Sequence, residues 1–202
     1  QLSLQSYKTG QLFYSYGLIP SVLMGHNQLP LDLYAIPPVA TIFSSMFMHG
    51  GFMHFGSNML FLWVFGDNIE DRLGHIKFIL FYISCGVAAL LFQVATNGQS
   101  QVPNIGASGA IAGVLGAYLV LFPYSRINTL LIMYFITIIR IPAVFMLVFW
   151  FILQFFGGIG SLSTTTAHTG GIAYWAHVGG FLAGVICIAI YIKATCQQFY
   201  YY

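Results

Sequence analysis

The sequence has 202 residues, 58% of them apolar and 17% aromatic, yet it carries only six Lys or Arg and four Asp or Glu. Water-soluble domains have about a quarter of their positions charged, so a 5% share excludes a soluble globule and makes lipid the solvent for much of the chain. A formal net charge of +2 with no basic cluster excludes a nucleic-acid footprint, and Cys85 and Cys187, inside apolar runs, are packing residues rather than a disulfide framework.

The first 50 residues hold no run long enough to span a bilayer but are rich in Tyr, Phe, Leu and Pro, which predicts an outer-face loop over 1–51 lying partly in the interface. Crossing about 30 Å of hydrocarbon takes roughly 20 helical residues, and five apolar runs approach that length: 52–69, 76–96, 106–122, 141–157 and 171–192. Polar or Gly-rich stretches separate them at Asp67 to Gly74, Thr96 to Asn104, Pro123 to Thr129 and Gly157 to Gly170. The segment 127–139 is apolar but short, and Arg140 and Pro142 interrupt it; it is expected at the interface or as an extension of the fourth run. The pattern predicts an all-α, polytopic transmembrane helical bundle forming one domain over 1–202. Arg72, Lys77, Arg126 and Lys193 fall in loops or a tail on one side, whereas 97–105 and 157–170 carry no charge, so the former side is inside.

Strongly polar groups within spans are costly and mark function. His54, Asn58, Ser108 and His177 each fall within about two turns of the outer end of a span under this topology. Ser108 lies in Gly106-Ala107-Ser108-Gly109, where a loop becomes a helix whose free N–H groups favour negative charge. Ser beside Gly is also common where transmembrane helices pack, so Ser108 acquires significance only with a base at the same depth. His177 supplies one: Gly180 and Gly184 share its helical face, and Gly109, Gly113 and Gly116 form a matching stripe, so the two helices can approach until imidazole meets hydroxyl. His54 and Asn58, four residues apart, share a face suited to oxyanion donors. His49 is assigned a structural hydrogen-bonding role. No metal is expected, because the cluster lacks the Glu of His-Glu-x-x-His and any nearby carboxylate. Asp67, Glu70 and Asp71 all sit at an inner span end, which excludes paired-aspartate chemistry.

Four motifs now stand in order: His49-x4-His54-x3-Asn58, Phe65-Gly66-Asp67-Asn68-Ile69-Glu70-Asp71-Arg72-Leu73-Gly74, Gly106-Ala107-Ser108-Gly109 and Ala176-His177-x-x-Gly180. In these the chain resembles the rhomboid intramembrane serine proteases, of a bacterial type, over residues 12 to 192. The resemblance implies a rhomboid-like bundle with five of six core spans visible, the first expected immediately before residue 1, which is Gln rather than Met. It implies Ser108 as nucleophile, His177 as general base and acid, and an oxyanion hole of His54, Asn58 and the Ser108 backbone N–H, with Gly106 shaping the loop. Glu70 and Gly74 would fix the inner loop, and Gly109 and Gly180 would let the helices approach. It further implies no cofactor, transmembrane proteins as substrates, and a multi-pass location in a prokaryotic inner membrane with the site facing outward. Some members place an aromatic residue four positions after the nucleophile; here that is Ala112, so other packing is expected to hold His177. The family's Trp-Arg pair in the first loop is not evident.

Helical substrates would have to enter sideways and unwind locally, through a gate formed by the helix at 141–157 and the mobile loop before 171. Two alternatives accompany this reading: an inactive relative that binds transmembrane clients, and a small-solute transporter. The transporter predicts polar residues spread through the membrane depth, whereas here they gather at one end.

Overall fold

The computed structural model describes residues 2–132, 136–163 and 172–195. It is mostly helical. In chain order the elements are α1 (Leu2–Tyr16), α2 (Pro20–Leu23), α3 (Thr41–Ser44), α4 (Phe52–Phe61), α5 (Asp67–Leu73), α6 (His75–Thr96), α7 (Ser108–Leu121), β1 (Arg126–Ile132), β2 (Ile136–Pro142), α8 (Ala143–Ser163) and α9 (Tyr174–Thr195). Among the described residues, three helices are long and apolar enough to cross a membrane: His75–Thr96, Ala143–Ser161 and Tyr174–Thr195.

The centre of the bundle is α7. Nearly every residue from Gly109 to Tyr118 is buried, and the helix packs against α6, α8, α9 and the α4–α5 segment. Its run of Gly, Ala, Val, Leu and Ile is apolar on all sides, as a wholly enclosed helix requires. Fourteen residues reach only about 21 Å, less than the hydrocarbon thickness, so at least one helix end lies within the membrane depth. Irregular backbone is tolerated there because protein covers it.

Glycine sets the α7–α9 spacing. A Cβ at Gly180 would run into the Gly109 carbonyl, one at Gly184 into the Gly113 carbonyl, and one at Gly116 into the Phe181 carbonyl. Such contacts between small faces replace the hydrophobic driving force that lipid removes. Below them, Phe65, Ile69, Leu115, Tyr118, Leu147 and Ile188 close the core, with the Phe65 ring edge-on to Tyr118 at 4.9 Å.

Four sequence expectations need correction. Residues 1–51 are not simply a loop: α1 occupies 2–16, a stretch without Pro that is too polar to be counted as a span, and Gly17 and Pro20 end it. The stretch from Asp67 to Leu73 is helical, joined to α4 through a π-helical turn at Leu62–Gly66, because Ile69 and Leu73 bury their side chains; Gly74, at φ +77°, turns the chain into α6. The segment 127–139 neither extends the fourth run as helix nor lies as a plain apolar stretch. It forms most of an antiparallel hairpin with Asn128 opposite Arg140, since its Ile and Thr residues favour strand. Finally, Gly157 to Ser163 continue α8. Gly157 and Gly158 stay helical there because the rings of Tyr174 and Trp175 occupy the space a Cβ would take. The proposed gate loop before 171 lies outside the described residues.

Candidate active site

The chain before Ser108 is held from the first loop. Leu18 and Asn104 exchange backbone hydrogen bonds at 3.0 and 2.7 Å, Ser21 N–H donates to the Ser100 carbonyl, and Gly106 N–H donates to the Ser45 carbonyl at 2.9 Å. The Asn104 side-chain amide adds a further bond to the Leu18 carbonyl at 3.2 Å. These tethers anchor the first loop without a Trp-Arg pair. Gly106 has φ +124°, a conformation that disfavours any Cβ, and passes the chain directly into α7 at Ser108.

His177 stands in the first turn of α9. Buried Gln93 of α6 fixes that turn by accepting the Ala176 N–H at 3.0 Å through Oε1. The α7–α9 approach described above brings His177 Nε2 to 2.8 Å from Ser108 Oγ. On the other side of the ring, Nδ1 lies 2.8 Å from Gln154 Oε1 of α8. An amide oxygen only accepts, so Nδ1 carries the proton in the neutral ring and Nε2 keeps its lone pair toward the hydroxyl. Trp150, one turn before Gln154, packs its ring 5.8 Å from the imidazole; Ala112 lines the same cavity.

Across the cavity is His54. Its Nδ1 accepts the Gly50 N–H at 3.2 Å, which leaves Nε2 as the protonated nitrogen. That nitrogen faces the Gly106 turn: a Cβ on Gly106 would come within 2.9 Å of His54 Nε2 and Cε1, and 3.7 Å of Ser108 Oγ. Asn58, one turn along α4, is buried and donates through Nδ2 to the His54 carbonyl at 2.8 Å; the amide has a second N–H beyond this bond. His49 touches no reacting group. Its ring meets His54 edge-on at 5.3 Å and Phe55 at 5.2 Å. Burial, then the neighbouring His54, push its pKa down.

Ser108, His177, His54 and Asn58 all line one cavity of about 890 Å³, whose walls include Trp150 and Gln154. The arrangement sets a hydroxyl within hydrogen-bond reach of an imidazole nitrogen, with the His54 ring and the Asn58 amide lining the same cavity. Among the described residues, no three His, Cys, Asp or Glu side chains gather as metal ligands. At the inner end, Glu70 instead pairs with His75 at 2.6 Å.

The sequence reading missed Gln154, Gln93 and Trp150. The two Gln residues sit in otherwise apolar runs, so the rule that singled out His54 applies equally to them.

A rhomboid-domain profile matches residues 38–194. Among curated proteins, the chain is 32% identical to the mitochondrial Rhomboid protein 1 of Saccharomyces cerevisiae over 169 residues, covering 78% of this chain and 43% of that one. It is 37% identical to the human mitochondrial Presenilin-associated rhomboid-like protein over 87 residues, covering 41% and 22%. It is 39% identical to the Rhomboid protease GluP of Bacillus subtilis over 72 residues, covering 36% and 14%. The chain thus spans less than half the length of these relatives. They come from mitochondria as well as a bacterium, so they support a membrane location without favouring a prokaryotic inner membrane. With one domain profile matched across most of its residues, the chain belongs to the rhomboid family.

Proposed function

We propose that the protein is an intramembrane serine endopeptidase that cleaves transmembrane helices of other membrane proteins. The observation that carries this reading is the 2.8 Å contact between Ser108 Oγ and His177 Nε2 inside a cavity with polar groups at one end and apolar walls beyond. Ser108 Oγ attacks the scissile carbonyl while His177 Nε2 takes its proton, a step that needs this separation and this tautomer. The oxyanion forms beside His54 Nε2–H, the free Asn58 N–H and the Ser108 backbone N–H. His177 then returns the proton to the leaving amine as the C–N bond breaks. Water entering the cavity hydrolyses the acyl-enzyme through the same base.

Substrate enters between α4 and α8 in this reading. Of the three long apolar helices, α8 is the least embedded: 17% of its apolar window is buried inside the protein, against 39% for α6 and α9. It therefore has the fewest packed contacts to break in moving aside. The positive residues Arg72, Lys77, Arg126 and Lys193 favour an orientation in which the opposite, site-bearing end of the bundle faces outward.

The test is cleavage of a helical transmembrane substrate by the purified protein in liposomes, beside Ser108→Ala and His177→Ala. Both variants are expected to abolish cleavage while still folding. Cleavage that survives Ser108→Ala defeats the proposal, and wild-type protein that binds the helix without cutting it supports an inactive client-binding relative instead.

A further inference from the structure

We propose that Gln154 is a positioning residue for the base: its Oε1 holds His177 in the Nδ1–H tautomer, doing with a neutral amide what a carboxylate does in a three-member serine site. The inference rests on the reading of Ser108 and His177 as a dyad and adds a third member from a different helix.

Neutral imidazole has two tautomers, and only one of them is a base toward Ser108. With the proton on Nε2, the ring would present a donor to the hydroxyl and accept nothing from it. The two tautomers are close in energy in water, so a site that uses one must select it. At His177 the selecting contact is the 2.8 Å pair between Nδ1 and Gln154 Oε1. The other groups against the ring do not make that choice: Trp150 offers a ring face at 5.8 Å, and Ser108 Oγ can donate or accept. Among the described residues, the titratable side chains lining the cavity besides His177 are His54 on α4 and Tyr174 on α9, with no carboxylate, Lys or Arg. Gln154 is thus the lining side chain that accepts at Nδ1.

Packing gives the amide its aim. Gln154 follows Trp150 by one helical turn, so both lie on one face of α8, and Trp150 stacks between His177 and Phe181, 6.1 Å from the latter ring. The indole sets the ring plane and the amide sets the proton. The base is consequently oriented by the same helix that walls the substrate path, so a displaced α8 takes the orienting group with it.

Two variants of near-equal length separate this role from simple packing. Gln154→Met keeps the shape and removes the acceptor; Gln154→Glu keeps an acceptor oxygen. In liposomes, kcat of Gln154→Met is expected to fall about tenfold or more, the scale of one lost orienting hydrogen bond, with KM within about twofold. Gln154→Glu is expected to recover part of that loss. Nitrogen-15 NMR of histidine-labelled protein reads the tautomer without any substrate: wild type should show His177 protonated at Nδ1, and Gln154→Met should shift population toward Nε2–H. Wild-type kcat in Gln154→Met, or an unchanged tautomer, overturns the proposal. A shifted tautomer in a protein that cleaves nothing leaves the role of Gln154 standing and counts against the protease reading instead.

Discussion

Replacing Gly180 by Ala tests whether the helix contact sets the catalytic distance. The added Cβ would overlap the Gly109 carbonyl oxygen and lie 3.0 Å from its carbon and 3.2 Å from the Ala89 Cβ. The oxygen overlap is the limiting one, since a Cβ is essentially never nearer than 3.0 Å to another heavy atom, so α9 must retreat from α7 by about 1 Å or more. Gly109 directly follows Ser108, and Gly180 lies less than one turn from His177. The same displacement therefore stretches their 2.8 Å contact to about 3.8 Å or more, beyond the limit of a hydrogen bond. Misplacement near 1 Å costs about 10²-fold in rate, and the overpacking itself about 1–3 kcal/mol in stability. The assay is kcat in liposomes, paired with the thermal midpoint in detergent and with labelling of Ser108 by a fluorophosphonate. Gly10→Ala serves as control, because nothing lies within 4 Å of its Cβ, and it should match wild type in activity. A folded Gly180→Ala protein with undiminished kcat would refute the claim that glycine packing fixes the dyad.

Gly106→Ala combines a disfavoured φ of +124° with a Cβ 2.9 Å from the His54 ring; it should lower kcat and cost about 1–3 kcal/mol. Gly74→Ala, with φ +77° and open space, should cost about 1–3 kcal/mol and leave kcat/KM unchanged, so equal loss of activity in both would show that strain alone explains the first. Gln93→Leu strands the buried Ala176 N–H and should lower stability by about 1–3 kcal/mol, read as a reduced thermal midpoint. For His49, whose folded pKa lies below its ordinary value, the unfolded chain takes up the proton first as pH falls. Its stabilising share is complete above the unfolded pKa and is lost on acidification. From about pH 7.5 to about 5.5, the midpoint of wild type should drop further than that of His49→Gln; parallel curves would remove His49 as a cause.

What was legible in the sequence followed from lipid acting as solvent. Long apolar runs and scarce charge gave the helical bundle, and the stripes through Gly109 and Gly113 and through Gly180 and Gly184 anticipated where two helices meet. Depth along those helices put Ser108 and His177 at one level. Other features depended on a competition that run length does not resolve. Residues 127–139 are apolar enough for helix, but Ile136, Thr137, Ile138 and Ile139 crowd a helix and suit a strand, so the hairpin won. The helix at 2–16 escaped notice because Lys8, Gln5 and Gln11 disqualify it as a span without opposing helicity. Gln154 was passed over because a single amide among Phe and Leu carries no spacing pattern; its partner lies 23 residues away on another helix.

The neutrality of the site follows from the same solvent. An aspartate or glutamate at residue 154, half-buried at the cavity wall, would hold a partly desolvated charge within the membrane depth with only a neutral imidazole opposite it. An amide oxygen selects the same tautomer at the cost of desolvating a dipole, and its hydrogen bond to Nδ1 offsets much of that. In the proposed mechanism it would also give less stabilisation to the imidazolium formed as Ser108 attacks, so the proton held at Nε2 would return to the leaving amine more readily. A bundle with almost no charge to spend thus orients both imidazoles by dipoles, Gln154 at His177 and the Gly50 N–H at His54, and under the proposed function the scarcity of charge that marks the chain as a membrane protein extends to its chemistry.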